Sequence, residues 1–109
     1  MSVMTVVEGK VPSLKADEFE KSYKSLKKSS FPQGLLESFL LKDINSDIYR
    51  IATIWESFEI LEQFRKEMRE ANKVPTAVAL FNNIGAEPEL KVFEIKSHFQ
   101  LKKDILIEN

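Results

Sequence analysis

An α+β domain with the element order strand, helix, strand, strand, helix, strand is what this sequence predicts, on three observations. Leu35 to Lys42 and Ile48 to Trp55 are apolar, β-branched or aromatic runs separated by a short polar segment with hairpin chemistry. Apolar residues recur at helical spacing once before this pair and once after it. A Val- and Thr-rich stretch opens the chain, and a further apolar run follows the second helical segment, so two more strands are available to pair with the hairpin.

Met4 to Val11 reads as the first strand, with a polar break at Glu8 and an end at Pro12. Ser13 offers a helix cap, Asp17 and Glu18 suit a helix N-terminus, and Ala16, Phe19, Tyr23 and Leu26 make one apolar face of a helix reaching Ser29 or Ser30. Phe31-Pro32-Gln33-Gly34 is a turn, because Pro fixes one backbone angle and Gly permits the angle others avoid. The second strand, Leu35 to Lys42, and the third, Ile48 to Trp55, are joined through Asp43 to Asp47 as antiparallel neighbours.

Ser57 is placed to cap the next helix, Glu59 favours its first turn, and Phe58, Leu61, Phe64 and Met68 form its inward stripe, with Glu62 and Lys66 paired outside. Pro75 opens a short further helix carrying Val78 and Phe81, which Asn82, Asn83 and Gly85 stop. Leu90 to Ile95, after Pro88, is the fourth strand. This order is the split βαβ unit: a ferredoxin-like antiparallel sheet with helices on one face.

The 109 residues fit one domain, with a core of adequate size and no need of a disulfide or structural metal. Sixteen basic and seventeen acidic residues are interspersed, so no basic field exists to collect the phosphates of a nucleic acid. The absence of Cys removes disulfides, thiolate nucleophiles and Cys-based metal sites, and a single His leaves no imidazole cluster for a metal. Without a signal-like start or an apolar run approaching the ~20 residues of a membrane span, no membrane association is expected and the cytoplasm is the expected compartment.

Strand two sets Leu35, Phe39 and Leu41 on one side and Leu36 and Leu40 on the other, while strand three alternates Tyr49, Ile51 and Trp55 with Ile48, Ala52 and Ile54. Both faces of the sheet therefore read as buried, yet two helices cover only one. A homodimer packed through the second face meets the need. The alternative is a tail, Lys96 to Asn109, folded back over the sheet. The domain is assigned to residues 1–99, and 100–109 to a C-terminal extension forming an extra strand or a dimer arm.

Trp55, beside a helix start, suits stacking on a flat ligand as well as a place in the core. Tyr23, Phe39, Phe64, Met68 and Phe81 are candidates to line a pocket between sheet and helices, and the same residues describe an ordinary core. His98 is the only side chain whose ordinary titration lies near neutrality, and it stands beyond the last strand as a surface or interface residue. Arg50 interrupts an apolar face, either reaching out of the sheet or meeting a carboxylate or an anionic ligand. Glu37 and Glu56 act as bases only if buried. There is no phosphate loop, hydrolase motif or dinucleotide fingerprint.

Ile54-Trp55-Glu56-Ser57 at the end of the third strand, with Lys91-Val92-Phe93-Glu94-Ile95 as the last strand, resembles the antibiotic biosynthesis monooxygenase-like family of dimeric α/β barrels over about residues 3 to 99. Within it the small bacterial haem-degrading monooxygenases are similar, through a similar Ile-Trp-Glu-Ser and a similar last strand running into an aromatic-His-aromatic stretch, here Ser97-His98-Phe99. Those enzymes imply an Asn on the first strand, a Trp in the second helix and an axial His beyond it. The matching places here hold Gly9, Phe64 and a residue near Val74, so haem degradation is disfavoured. Other members imply oxygenation of electron-rich aromatic molecules without metal, flavin or other cofactor. The expectation is a cofactor-independent monooxygenase-like protein for a small hydrophobic, aromatic or quinol-type molecule, with Trp55, Tyr23 and Phe64 as walls and Arg50 or His98 as polar contact. The alternative is a non-catalytic binding or assembly module of the same fold.

Overall fold

The computed structural model describes residues 1–101, so the extra strand or arm expected in the C-terminal extension falls, from residue 102 onward, outside the described residues. Four strands, β1 (Val3–Lys10), β2 (Leu35–Lys42), β3 (Ile48–Trp55) and β4 (Glu89–Glu94), form one sheet in the order β2-β3-β1-β4. Every pairing is antiparallel, and three helices, α1 (Ala16–Lys24), α2 (Phe58–Glu70) and α3 (Thr76–Asn82), complete the ferredoxin-like α+β fold. The hairpin between β2 and β3 closes as its residues dictate. Asp43 accepts from the Asn45 backbone N–H at 2.8 Å, and the Asp43 N–H donates to the Ile48 carbonyl.

Alternation sorts β1 cleanly, and β3 with one exception, Ala52, which is buried on the opposite face. Val3, Thr5, Val7 and Gly9 are buried, as are Tyr49, Ile51, Thr53 and Trp55, and these face the helices. Strand β2 departs from the sequence expectation. Its register with β3 shifts between Leu35 and Glu37, a bulge that gives β2 one extra residue and turns Leu35 to the side of Ser38 and Leu40, away from Phe39 and Leu41. The helices start and stop differently too. Ser13 does not cap α1; it begins a single 3-10 turn, Ser13–Lys15, and α1 follows without a side-chain cap. That helix ends at Lys24, short of Ser29, because Leu26 turns inward against the core and a second 3-10 turn, Lys28–Ser30, takes over.

Ser57 caps α2 as expected, accepting from the Ile60 N–H at 3.1 Å. The far end of α2 closes through a paired C-terminal motif: the Lys73 N–H reaches the Met68 carbonyl and the Asn72 N–H the Arg69 carbonyl, with Asn72 at φ 56. Glu62 pairs with Arg65 at 2.9 Å and not with Lys66, the three-residue spacing serving as well as the four-residue one.

The helix side of the sheet carries two separate apolar clusters. One, at the end of the sheet under α1 and α3, gathers Phe19, Tyr49, Leu80 and Phe81 among others; the second, at the opposite end, joins Val3, Trp55 and Leu61. Gly9 belongs to the first end. A Cβ there would stand 2.7 Å from the Phe81 ring, so only glycine lets that ring lie on the strand. The other face of the sheet has no covering element among the described residues.

Candidate functional site

Between the two apolar clusters the helix-facing side of the sheet opens into a cavity of about 440 Å³. Its floor is a row of side chains running across the strands. Register places Ser38 opposite Thr53 and Thr53 opposite Thr5, so three hydroxyl residues from β2, β3 and β1 stand side by side. Neighbouring members of such a row lie ~4.8 Å apart along the hydrogen-bonding direction. All three line the cavity, and Thr5 and Thr53 are buried there among apolar neighbours.

Each end of the row is held by an aromatic residue. The Trp55 indole N–H donates to Thr5 Oγ1 at 3.1 Å, and the Tyr23 hydroxyl from α1 shares a 2.8 Å hydrogen bond with Ser38 Oγ. Trp55 is itself packed against Phe64, with ring centroids 5.1 Å apart, and is 4% exposed. Helix α2 supplies one wall through Leu61, Phe64, Arg65 and Met68, residues that recur at helical spacing on one stripe. The mouth is framed by Ser30, Phe31 and Pro32 before β2 and by Lys73, Val74 and Pro75 after α2. Gly34, at φ 93, makes the turn that brings Pro32 to this rim, and Leu35 N–H closes it on the Pro32 carbonyl.

A second, more open recess of about 490 Å³ lies at the free edge of β2, lined by Glu20, Tyr23, Lys24, Ser38, Phe39, Leu40, Lys42 and Tyr49. Here Tyr49 donates its hydroxyl to Glu20, and burial, reinforced by that carboxylate, pushes the phenol up to about 12. Lys24 Nζ stands 3.8 Å from the other oxygen of Glu20.

Of the residues singled out in the sequence, Tyr23, Trp55, Phe64 and Met68 are brought together around the cavity. Phe39 and Arg50 are not. Alternation turns them to the opposite face of the sheet, where Phe39 is exposed beside the edge recess and Arg50 Nε binds Glu8 Oε1 at 2.7 Å. Phe81 is wholly buried over Gly9 and Phe19 in the apolar cluster, outside the cavity. His98 is exposed past the end of β4 and does not line the cavity, and Glu37 and Glu56 are exposed as well. From β1 the residues that reach the cavity are Thr5 and Val7, and Gly9 does not. Val74 lies at its mouth.

The hydroxyl row escaped the sequence reading because its members come from three strands and meet only through register. A signal exists nonetheless: Thr5 between Val3 and Val7, and Thr53 between Ile51 and Trp55, each break an inward apolar alternation at the same depth. Among the described residues no group of three His, Asp or Glu side chains is placed to hold a metal ion, and no helix is long and apolar enough to cross a membrane.

No protein-family profile matches the sequence, and no curated protein does. Solved structures match it over nearly its whole length. The heme-degrader MhuD from Mycobacterium tuberculosis, with two hemes bound in its active site, is 22% identical with a TM-score of 0.69, covering 90% of this chain and 99% of that one. A dimeric ferredoxin-like protein from an uncultured marine organism is 11% identical with a TM-score of 0.71, covering 93% and 100%. SnoaB, a cofactor-independent oxygenase from Streptomyces nogalater, is 20% identical with a TM-score of 0.62, covering 89% and 95%. The fold that the sequence resemblance implies is thus the fold the chain shares with these proteins.

Proposed function

We propose that the chain is a cofactor-independent monooxygenase-like protein that takes one small aromatic or quinol-type molecule into the cavity on the helix side of its sheet. The observation that carries this is the floor of hydroxyls inside a mainly apolar enclosure whose charged lining residues are Arg65, Glu67 and Lys73. Trp55, Phe64 and Met68 offer faces for a flat ring, while Thr53 and the Tyr23–Ser38 pair offer hydrogen bonds to its oxygens. Two hydroxyls that share one hydrogen bond keep one proton to donate elsewhere.

The chemistry asks little more of the protein. An electron-rich quinol with a free ring C–H loses a hydroxyl proton and passes an electron to dioxygen. The resulting radical pair forms the new C–O bond at that ring carbon, and protonation gives a hydroperoxide. Loss of water from it breaks the O–O bond and the C–H bond and leaves a carbonyl, so that one quinol and one dioxygen become one hydroxyquinone and one water. The protein's part is to fix the ring, donate to the anion that forms first, and exclude water around it. The oxygenase SnoaB has the same fold, which supports this chemistry without carrying it.

Haem is a poor fit. The cavity lining contains no imidazole, and its one phenol is already bonded to Ser38. We infer further that a second copy covers the bare face of the sheet, in keeping with the dimeric ferredoxin-like relative in fold.

Trp55 is the only tryptophan and forms part of the cavity wall, so its fluorescence reports occupancy. Titration with haem and a panel of quinols and polyphenols, with oxygen uptake followed in parallel, is expected to give saturable quenching and oxygen consumption with a quinol. Quenching without uptake would assign a binding module that performs no oxygenation. No quenching by any member of the panel, from folded protein, would remove the ligand site.

A further inference from the structure

Tyr23 and Ser38 line both the inner cavity and the recess at the edge of β2, and they are the two residues the cavities have in common. Their hydroxyls are 2.8 Å apart, and either can be the donor. The two cavities therefore meet at a hydrogen bond whose direction can reverse. On the inner side it continues the row Thr5, Thr53, Ser38; on the outer side it meets a recess holding the carboxylate of Glu20 and open to solvent.

We propose that this pair is the proton exit of the cavity, with Glu20 as the terminal acceptor. The inference rests on the oxygenase chemistry proposed above, whose first step removes a proton from the substrate. The inner cavity offers that proton little else: Glu67 and Lys73 are exposed residues of its lining, and no carboxylate or imidazole stands on its floor. In the relay one hydroxyl of the pair accepts the substrate proton while passing its own to the other. The second releases its proton through water in the outer recess to the Glu20 carboxylate. One proton leaves the substrate, one arrives at Glu20, both hydroxyls remain neutral, and no electron moves.

Glu20 is well placed for this task. It lies one turn before Tyr23 on α1, so both side chains project to the same side of the helix, and its carboxylate is held in place by Tyr49 and faced by Lys24. A purely structural tyrosine in this position would need neither a hydroxyl partner shared between two cavities nor a carboxylate beyond it.

The test uses the 109-residue chain and a quinol that quenches Trp55. Tyr23→Phe removes the hydroxyl and keeps the ring; Ser38→Ala cuts the same pair from the strand. Each is expected to lower kcat of oxygen uptake by about 10²-fold, the lower end of what proton transfer by a positioned group contributes, a loss larger than the weakening of the Trp55 titration that follows from one missing hydrogen bond to the ligand. Glu20→Gln is expected to lower kcat in the same direction with KM unmoved, and the wild-type solvent isotope effect on kcat should change in all three. If the substitutions raise KM and leave kcat as it was, these residues only bind the substrate and the relay is overturned. Uptake by the wild-type chain that all three variants retain would remove the relay alone. A wild-type chain that binds the quinol and consumes no oxygen would remove the oxygenase chemistry and the relay together.

Discussion

Tyr49 shows how much a single buried group contributes at this scale. Its ring packs edge-on against Phe19 with centroids 5.2 Å apart, and its hydroxyl is bound to Glu20. Burial first, and the carboxylate second, raise its pKa from 10.0 to about 12. The folded chain therefore keeps a proton that the unfolded chain releases near pH 10, so this contribution is whole below pH 10 and is lost as pH rises towards 12. Denaturant unfolding followed through that window should show a decline that Tyr49→Phe flattens; equal slopes in both proteins would refute the assignment. Gly9 makes the complementary point about space. Because Phe81 is trapped between β1 and the Phe19 ring, 4.7 Å away, Gly9→Ala has nowhere to put its methyl group and should cost about 1–3 kcal/mol in the same measurement. The apolar face of its helix makes Phe81 a pocket candidate in the sequence; the glycine beneath it decides otherwise, and nothing in helical periodicity reports what lies on the facing strand.

Helix α2 is the element that shapes the cavity, since one of its stripes forms a wall and its C-terminal turn directs Lys73-Val74-Pro75 across the mouth. Its two ends differ in how they are fixed. Ser57→Ala removes the hydroxyl that accepts from Ile60 N–H and should cost about 1 kcal/mol. Asn72 holds a left-handed conformation at φ 56, so Asn72→Gly should raise stability by about 0.5 kcal/mol while Asn72→Ala lowers it. Thermal unfolding of the three variants gives the order directly. The cap was legible in the sequence because Ser before an apolar-periodic run has a local cause. Strands β2 and β3 were legible to the residue for the same reason, their hairpin being specified by Asp43 to Ser46. The bulge at Leu36 was not, because an extra residue leaves composition and alternation intact and shows only in the pairing with β3. The place of Leu35 depends on that bulge: without it, Ser38 would still face the helices but Leu35 would not line the cavity beside Trp55.

At the scale of the molecule, the bare face of the sheet is the largest unsatisfied feature. Phe39, Leu41 and Phe93 are exposed on it, and Met4, Val6, Ile48 and Ile54 are only partly buried. The Arg50–Glu8 pair lies among them, the Arg50 side chain 38% exposed. A monomeric protein rarely leaves such a patch in water, and each large apolar side chain it buries is worth about 1.5–3 kcal/mol. With a second copy as the cover, the wild-type chain should sediment as a dimer at micromolar concentration, and Phe39→Asp combined with Leu41→Asp should yield a monomer. Neither side chain faces the helices, so the monomer should stay folded. The cavity gives this test its second arm. Tyr23, Ser38, Thr53, Trp55 and Phe64 all come from one chain, so the monomeric variant should bind the same quinol with the same quenching of Trp55. A wild-type chain that sediments as a monomer would refute the second copy. A monomeric variant that has lost ligand binding would show that the partner subunit completes the site, and the cavity would then have to be redrawn across the interface.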